Sequence, residues 1–253
     1  MIVVRALALL AMTIPAVASA DPAPAWKVMS YNVNYANPDV KGTLDAIAAE
    51  DADVVLLQET DRGWQDALAK RFAKQYPHQA FRIHRRSAGG LAVLSKIAIT
   101  SEALVPTPPE GWFPAQRVVI GGIQMLNVHL RPAVEGGSWI RGFQTTPPHR
   151  LEQIKAFWPT LAKNLPTLVA GDFNEDTYGT AVQFVETQGL ARVPTTGPTT
   201  WRYERISDGK PFTLLAMNID HVMLDAHLAA TDARVLDAGA SDHRPVVVTL
   251  TKK

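Results

Sequence analysis

The chain alternates short apolar runs with amphipathic and turn-rich segments over most of its length. The apolar runs are rich in Val, Ile and Leu and are bounded by Gly, Pro, Asn or Asp, which is the pattern of buried strands. Segments with helical spacing of apolar residues lie between several of them. The pattern predicts strands at Trp26–Val33, Asp53–Gln58, Leu91–Leu94, Arg117–Ile120, Ile123–Leu130, Thr167–Ala170, Ile219–Leu224 and Pro245–Leu250, and helices at Val40–Glu50, Arg62–Gln75, His149–Ala162 and Thr180–Thr187.

Several predicted strands follow one another with no helix between them. This order disfavours a strictly alternating parallel barrel, and it favours one mixed sheet or two packed sheets with helices outside. The stretch from Pro194 to Met217 is rich in Thr, Pro, Gly and Asp and is predicted to be a surface loop. Loops of this length in a compact domain tend to be functional, so this loop is a candidate part of a binding site.

The first twenty residues predict a secretory signal peptide. Arg5 precedes an apolar stretch that ends in Ala18-Ser19-Ala20, a small-residue cleavage site. The stretch is interrupted by Thr13 and Pro15 and is short for a bilayer span, which makes a permanent membrane anchor the weaker alternative. We therefore expect cleavage at this site, export to the periplasm or the medium, and a single mature domain over residues 21–253.

Composition and charge narrow the function. The chain has no cysteine, so the mature domain has neither a disulfide framework nor a lipid-modified cysteine. Loss of Arg5 with the signal peptide leaves 24 basic and 24 acidic residues. A neutral domain has no general attraction for nucleic acid or for an anionic membrane. The basic segment from Lys70 to Arg86 is the local exception, and it is either a solvated helix face followed by a strand end or an anion-binding patch.

Polar side chains collect where the predicted strands end. A cap or a turn would explain any one of these strand ends, but six of them within one domain indicate a shared site. The residues concerned are Asn32, Gln58, Glu59, Asn127, His129, Arg131, Asp172, Asn174, Asp220, His221, Asp242 and His243.

The donor atoms in this set match one kind of chemistry. His129 and His243, with Arg131 or another donor nearby, suit proton transfer and a negatively charged transition state. Neither a cysteine nor an H-E-x-x-H helix is present to indicate zinc. Oxygen ligands suited to Mg²⁺, Mn²⁺ or Ca²⁺ are offered by Asn32, Glu59, Asp172, Asn174 and Asp242. The combination indicates metal-assisted attack of water on a phosphorus ester.

Seven motifs in chain order, "SYNV", "LLQET", "GGLAVLSK", "NVHL", "GDFN", "IDHVML" and "SDHRPV", resemble those of the endonuclease/exonuclease/phosphatase superfamily. Its members include pancreatic-type deoxyribonucleases, abasic-site repair nucleases, neutral sphingomyelinases and inositol-polyphosphate phosphatases. The resemblance runs from about Trp26 to Leu250. It implies an α/β (α+β) four-layer sandwich, with two mixed β-sheets packed face to face, helices on the outer faces, and a divalent metal, usually Mg²⁺, at one end.

The resemblance also implies the metal ligands. Glu59 of "LLQET" corresponds to the principal ligand, with Asn32 of "SYNV" beside it. Asp242 of "SDH" is expected to complete the metal region. Arg244, which follows it, is expected to be structural.

Catalytic roles follow from the same motifs. Asp172 and Asn174 of "GDFN" are expected to position or deprotonate the attacking water and to hold the phosphate. His243 of "SDH" is expected to contact the phosphate or act as a base, oriented by Asp220 of "IDH". His129 of "NVHL" is expected to touch the scissile phosphate or to assist the leaving group.

These residues predict an exported, metal-dependent phosphoesterase that acts on a phosphodiester, either nucleic acid or a phospholipid head group, as a monomer without a stable protein partner. No extended basic loop of the kind that enters a DNA groove is present. The side chains of Trp112, Trp139, Trp201 and Tyr203 could stack on a base, pack on a lipid or sugar, or only cover the core. The alternatives are a phosphomonoesterase for a small phosphorylated metabolite, a toxin-like nuclease, and a non-catalytic binding module, which the complete residue set disfavours.

Overall fold

The computed structural model describes residues 25–253, so the predicted signal peptide over residues 1–20 lies outside the described residues. Two six-stranded sheets, a separate two-stranded hairpin and five α-helices make up the described part of the chain. Within residues 25–253, no helix has both the length and the apolar character needed to cross a membrane.

The strands are β1 (Trp26–Asn32), β2 (Val54–Gln58), β3 (His78–Arg82), β4 (Leu91–Ser95), β5 (Ile99–Val105), β6 (Ala115–Ile120), β7 (Ile123–His129), β8 (Thr167–Asp172), β9 (Ala191–Arg192), β10 (Trp201–Ser207), β11 (Lys210–Met217), β12 (Asp220–Leu224), β13 (Leu228–Val235) and β14 (Val246–Lys252). The helices are α1 (Val40–Glu50), α2 (Arg62–Phe72), α3 (Trp139–Thr145), α4 (Pro147–Phe157) and α5 (Thr180–Thr187).

Both six-stranded sheets are mixed. The first has the order β13-β14-β1-β2-β4-β3, and the second has the order β5-β6-β7-β8-β12-β9. In the first sheet β1 pairs parallel with β2 and antiparallel with β14. In the second sheet β7 pairs parallel with β8, and β8 pairs antiparallel with β12.

Successive side chains of the central strands point to opposite faces of each sheet, and this alternation produces the layers of the sandwich. Val28 and Leu56 of the first sheet pack with Met125 of the second, which makes the layer between the sheets. The alternate residues of the first sheet pack against α1 and α2, through side chains such as Ile47 and Phe72. Helices α4 and α5 cover the outer face of the second sheet. The predicted four-layer sandwich is therefore confirmed.

The segment Pro194 to Met217, predicted to be a surface loop, instead contains the hairpin β10–β11. Asp208 and Gly209 connect the two strands, and both have positive φ, of 53° and 73°. An Asp-Gly pair in this conformation is a strong hairpin signal, because its twist matches that of the flanking strands. The high content of Thr, Pro and charged residues obscured the signal in the sequence.

Candidate active site

At one end of the sandwich, the layer between the sheets changes from apolar to polar side chains. The two-residue register that directs Val28, Leu56 and Ala170 into this layer continues to the strand ends. At those ends the same register directs polar side chains into the layer, and all of them are buried: Asn32, Gln58, His129, Asp172 and Asp220.

Strand pairing sets these polar side chains next to one another. The pairing of β7 with β8 places His129 beside Asp172, and the pairing of β8 with β12 places Asp172 beside Asp220. In the facing sheet, the pairing of β1 with β2 places Asn32 beside Gln58. The two sheets therefore contribute complementary halves of one site.

Asp172 is the central carboxylate. Its Oδ1 accepts a hydrogen bond from the backbone N–H of Asn174 at 2.8 Å, and its Oδ2 accepts one from Nδ2 of Asn32 at 3.0 Å. Oδ2 also lies 3.5 Å from Nε2 of His129 and 3.6 Å from Nε2 of His243. Burial raises the pKa of Asp172 to about 6, although the positive charge of His243 opposes the shift. A carboxyl that titrates near neutral pH can accept a proton from water.

His243 lies between two carboxylates. Its Nδ1 is 2.9 Å from Oδ2 of Asp220, and its Nε2 faces Asp172. Burial alone would lower the pKa of His243, but the charges of Asp220 and Asp172 outweigh that effect and raise the pKa to about 10. His243 is therefore an imidazolium at neutral pH, and the predicted contact with Asp220 is present.

His129 is fixed from behind by the backbone and by an aromatic ring. Its Nδ1 donates to the carbonyl oxygen of Ala88 at 2.8 Å, and its ring stacks on Phe113 with centroids 4.6 Å apart. Nε2 then faces Asp172 and Glu59, at 3.5 Å and 3.7 Å. Burial lowers the pKa of His129, although Asp172 opposes the shift. Because a carbonyl only accepts, the neutral ring keeps its proton on Nδ1 and presents an unprotonated Nε2.

Glu59 follows β2 and has a strained backbone, with φ of 59°. Its Oε1 accepts from Nδ2 of Asn32 at 3.1 Å, and its Oε2 accepts from the N–H of Tyr35 at 3.3 Å. Burial raises the pKa of the Glu59 carboxyl, and the hydrogen bond from Asn32 opposes the shift. Asn34 and Asn174 also have positive φ, of 56° and 51°. Such conformations cost on the order of 1–3 kcal/mol each and concentrate at functional sites.

Asp242 enters the site from the segment before β14. Its Oδ1 accepts from Nδ2 of Asn34 at 2.8 Å, and its Oδ2 accepts from Nε1 of Trp201 at 3.1 Å. Sequence reasoning did not assign Asn34 or Trp201 to the metal region. The spacing of two between Asn32 and Asn34 in "SYNVNY" was the available signal, whereas the approach of Trp201 depends on the hairpin.

All eight predicted site residues form one cluster. Asn32 and Asp220 lie at its edge, bonded to Asp172 and to His243. A single pocket is lined by Glu59, His129, Asp172, Asn174, Asp242 and His243, together with apolar side chains that include Trp139, Phe143, Trp201 and Met217.

Three further polar residues of the strand ends serve the scaffold. The Arg131 guanidinium, considered above as a donor for the transition state, pairs with Glu110 and Glu135 instead of lining the pocket. His221 bonds through Nε2 to the carbonyl oxygen of Glu175 at 2.9 Å. Arg244 pairs with Asp237 at 2.9 Å and so has the structural role expected of it.

The donor set of the pocket fits a hard divalent cation. Asp172, Asp220 and His243 present possible ligand atoms within 4.8 Å of one another, but the imidazolium of His243 already supplies positive charge there. Glu59 and Asp242 supply carboxylate oxygens at the pocket wall. Burial penalises the charged form of Glu59, so a cation bound to it would offset that cost.

The two-sheet fold and the donor set of the pocket match those of α/β-sandwich phosphoester hydrolases as a class. The chain belongs to the Endonuclease/Exonuclease/phosphatase family, whose model matches residues 29–243. Members of this family are phosphoester hydrolases and generally depend on divalent metals. A comparison with curated proteins finds no match.

Several solved structures share the fold. An endonuclease/exonuclease/phosphatase from Beutenbergia cavernae superposes with a TM-score of 0.66 at 23% identity, over 90% of this chain and 72% of that one. A 3′ phosphatase from Neisseria, bound to a product DNA hairpin, superposes with a TM-score of 0.66 at 18% identity, over 88% and 98%. Sphingomyelinase C from Streptomyces griseocarneus superposes with a TM-score of 0.63 at 20% identity, over 89% and 99%. At these identities the similarity supports the fold alone.

Proposed function

We propose that this chain is an exported, divalent-metal-dependent phosphodiesterase that acts by metal-assisted attack of water. The observation that supports the proposal is that two imidazoles and an amide all face the Asp172 carboxylate. This carboxyl, whose pKa is about 6, lies between the imidazoles of His129 and His243 in a pocket that also holds Glu59 and Asp242. A proton acceptor, a charged donor for a phosphoryl oxygen and oxygen ligands for a cation share one space.

Glu59 and Asp242 are the residues that would hold the cation, and their carboxylate oxygens favour Mg²⁺, with Mn²⁺ or Ca²⁺ as alternatives. Asn32 would hold the Glu59 carboxylate in place through Nδ2, because its own Oδ1 accepts from the N–H of Asn34 at 3.0 Å. When bound, such a cation supplies Lewis-acid stabilisation of the negative charge that develops on the phosphoryl and leaving oxygens.

The other residues handle water, phosphate and protons. Nδ2 of Asn174 is committed to the carbonyl of Leu130 at 3.0 Å, so its Oδ1 remains to hold the attacking water beside Asp172. His243 donates from Nε2 to a phosphoryl oxygen. As a P–O bond to the water oxygen forms and an ester P–O bond breaks, the water proton passes to Asp172. The unprotonated Nε2 of His129 then takes it and gives it to the leaving oxygen.

The charge of the pocket favours a phosphodiester over a phosphomonoester. Glu59, Asp172 and Asp242 contribute carboxylates to the lining, whereas the imidazolium of His243 contributes positive charge. With a divalent cation bound, these groups carry no net positive charge, so a phosphomonoester with up to two negative charges at neutral pH is bound less favourably than a diester with one.

The test is hydrolysis of bis-(p-nitrophenyl) phosphate, plasmid DNA, RNA, sphingomyelin and phosphomonoesters with Mg²⁺ or Mn²⁺, with and without chelator. We expect diester hydrolysis that the chelator abolishes. Glu59→Gln removes the anionic ligand and keeps the shape, so it is expected to lower turnover about a hundredfold or more and to remove the rise in melting temperature that the metal produces. Glu152→Gln, on the exposed side of α4, is the matched control.

The outcomes separate the candidate activities. Chelator-resistant turnover would contradict the metal assignment, and turnover of monoesters alone would identify a phosphomonoesterase. A protein that binds Mg²⁺ and shows no turnover of any ester would be a binding module.

A further inference from the structure

The hairpin β10–β11 stands apart from both six-stranded sheets. The side chains from Tyr203 to Lys210 and from Phe212 to Ala216 are all exposed. Its base is fixed, because Trp201 is buried and the N–H of Arg202 donates to the carbonyl of Asp242 at 3.0 Å. A two-stranded hairpin without a covering layer is only marginally stable in water. We therefore expect its exposed apolar side chains to be covered by a binding partner.

Exposed apolar side chains concentrate around this hairpin and the mouth of the pocket. Of the twelve large hydrophobic residues that are exposed in the described chain, nine lie there. Single exposed hydrophobic residues are normal on a protein surface, but a group of this size indicates an interaction site. We call them the apolar rim: Trp139, Ile140 and Phe143 of α3, Tyr178 of the loop after β8, and Tyr203, Ile206, Phe212, Leu214 and Leu215 of the hairpin.

The apolar rim is continuous with the candidate active site. Trp139 and Phe143 belong to the rim and also line the pocket. Trp201 and Met217, which pair at the base of the hairpin, line the same pocket. Tyr178 and Phe143 line an adjoining groove that shares Asn174 with the pocket. Whatever covers the rim therefore lies at the entrance to the catalytic groups.

The charges on the hairpin are nearly balanced. Arg202, Arg205 and Lys210 are offset by Glu204 and Asp208, and Arg202 pairs with Glu204 at 3.0 Å. Binding to a nucleic-acid backbone depends on a larger excess of positive charge than the single one that the hairpin carries. A hairpin with nearly balanced charges is instead suited to bind a partner whose surface has no net charge.

The most exposed rim side chains project outward on separate elements. Ile140 is 77% exposed, Tyr178 is 83% exposed and Ile206 is 72% exposed. Projecting aliphatic and aromatic side chains, with Arg and Lys among them, match the interface of a lipid bilayer, where Trp and Tyr bind at head-group level and aliphatic side chains enter the acyl boundary.

We propose that the apolar rim docks the protein on a zwitterionic phospholipid bilayer and that the substrate is a phosphodiester lipid of that bilayer. Docking brings the phosphodiester of a lipid head group to the mouth of the pocket that holds Asp172 and His243. This inference rests on the proposed phosphodiesterase function and specifies its substrate class.

The first test measures binding without catalysis. The full mature chain is sedimented with sucrose-loaded phosphatidylcholine vesicles in the presence of chelator. The variant Ile206→Ser with Phe212→Ser removes two rim side chains, and Ile83→Ser with Leu104→Ser removes two exposed apolar side chains elsewhere. We expect the wild type and the second variant to sediment equally, and the rim variant to bind at least about tenfold more weakly.

The second test compares a lipid with a soluble substrate. With Mg²⁺, the rim variant is expected to hydrolyse vesicle phospholipid or sphingomyelin at least about tenfold more slowly, while hydrolysis of bis-(p-nitrophenyl) phosphate stays within about twofold. Ile206 and Phe212 do not line the pocket, so the soluble substrate reports on an intact site. Thermal melting of both variants checks that they are folded.

Failure of this inference is distinguishable from failure of the proposed function. A wild type that hydrolyses the soluble diester but does not sediment with vesicles overturns the docking proposal and leaves the phosphodiesterase standing. Loss of DNA binding or of dimerisation in the rim variant, without any vesicle binding by the wild type, overturns it in favour of those partners. Vesicle binding without hydrolysis of any diester supports the docking surface, overturns the proposed function, and overturns with it the assignment of a lipid substrate.

Discussion

At the scale of single residues, neighbours decide how a buried histidine behaves. His243 and His221 are both buried, and burial lowers the pKa of each. The carboxylates of Asp220 and Asp172 reverse the shift at His243, whose pKa is about 10. The His221 ring bonds to the backbone carbonyl of Glu175, a weaker influence, so its pKa falls to about 4. One histidine is therefore a charged donor, and the other is a neutral packing group.

His243 and Asp220 are expected to act as one catalytic unit. His243→Ala and Asp220→Asn should each lower the rate about a hundredfold or more on any accepted substrate. The double variant should be little worse than His243→Ala alone, because without the imidazole Asp220 has nothing to orient. Rates and melting curves of the three variants test this. Multiplicative losses in the double variant, or activity preserved per folded molecule, would contradict the pairing.

His221 should make the protein less stable in acid. Its folded pKa of about 4 lies below the unfolded value, so between about pH 6.5 and pH 4 the unfolded chain binds a proton that the folded chain does not. Its contribution to stability is complete above pH 6.5 and is lost as the pH falls. Relative to His221→Gln, the wild type should lose on the order of 2–3 kcal/mol of unfolding free energy over this window.

Urea unfolding of the wild type and of His221→Gln at pH 7.5 and pH 4.5 measures that loss. Both proteins contain Asp172, so its titration contributes equally to both unfolding free energies and cancels when one is subtracted from the other. A difference that does not change with pH would show that His221 does not titrate as described.

At the scale of elements, exposure decided which strands the sequence pattern predicted. Four strands of the two six-stranded sheets were missed by the sequence pattern, and all four lie at a sheet edge: β3, β5, β9 and β13. An edge strand has solvent on one side, so it lacks the continuous apolar run by which the central strands were recognised. Strand β5 illustrates this with exposed Thr100 and Ser101.

The pairing of β7 with β8 depends on Gly171. Its φ is 141°, and a Cβ added there would lie 1.9 Å from the backbone oxygen of Val128. Gly171→Ala should therefore force the two strands apart beneath His129 and Asp172. We expect a loss of at least about 3 kcal/mol of unfolding free energy, with lower activity in the folded fraction.

Gly189→Ala is the matched control for that substitution. Gly189 also has positive φ, of 92°, but a Cβ there would meet nothing within 4 Å. Backbone strain alone should cost about 1 kcal/mol. Equal losses of unfolding free energy in the two variants would show that the close approach to Val128 is not the cause.

At the scale of the whole molecule, the site exists because two sheets meet. Glu59 and Asn32 come from the first sheet, and His129 and Asp172 come from the second. Nε2 of Gln58 donates to Oδ1 of Asn127 at 2.7 Å in the buried layer, which links the sheets beside the site. The distances among the candidate site residues therefore depend on the packing of the entire sandwich.

Export is the prediction that concerns the whole chain. If the signal peptide is cleaved after Ala18-Ser19-Ala20, protein from the producing cell should begin at or near Asp21. N-terminal sequencing of the periplasmic and secreted fractions tests this. Recovery of intact Met1 from a soluble cytoplasmic fraction would refute export.

The sequence by itself determined the central strands, the four longer helices and which candidate site residues to expect in one cluster. Apolar period and strand-end chemistry are local properties, so Glu59, Asp172 and His243 could be recognised without coordinates. Helices α1 and α5 have the predicted bounds, whereas α2 ends at Phe72 instead of Gln75.

Only the tertiary structure decided how these residues are arranged around one another. It placed the imidazolium of His243 between Asp220 and Asp172, which are 48 residues apart in sequence. It directed Arg131 to Glu110 and Glu135, and it brought Trp201 to Asp242 through a hairpin that composition had concealed. The physical reason is that charge, burial and aromatic contact depend on distances across the sandwich, which no local pattern in the chain encodes.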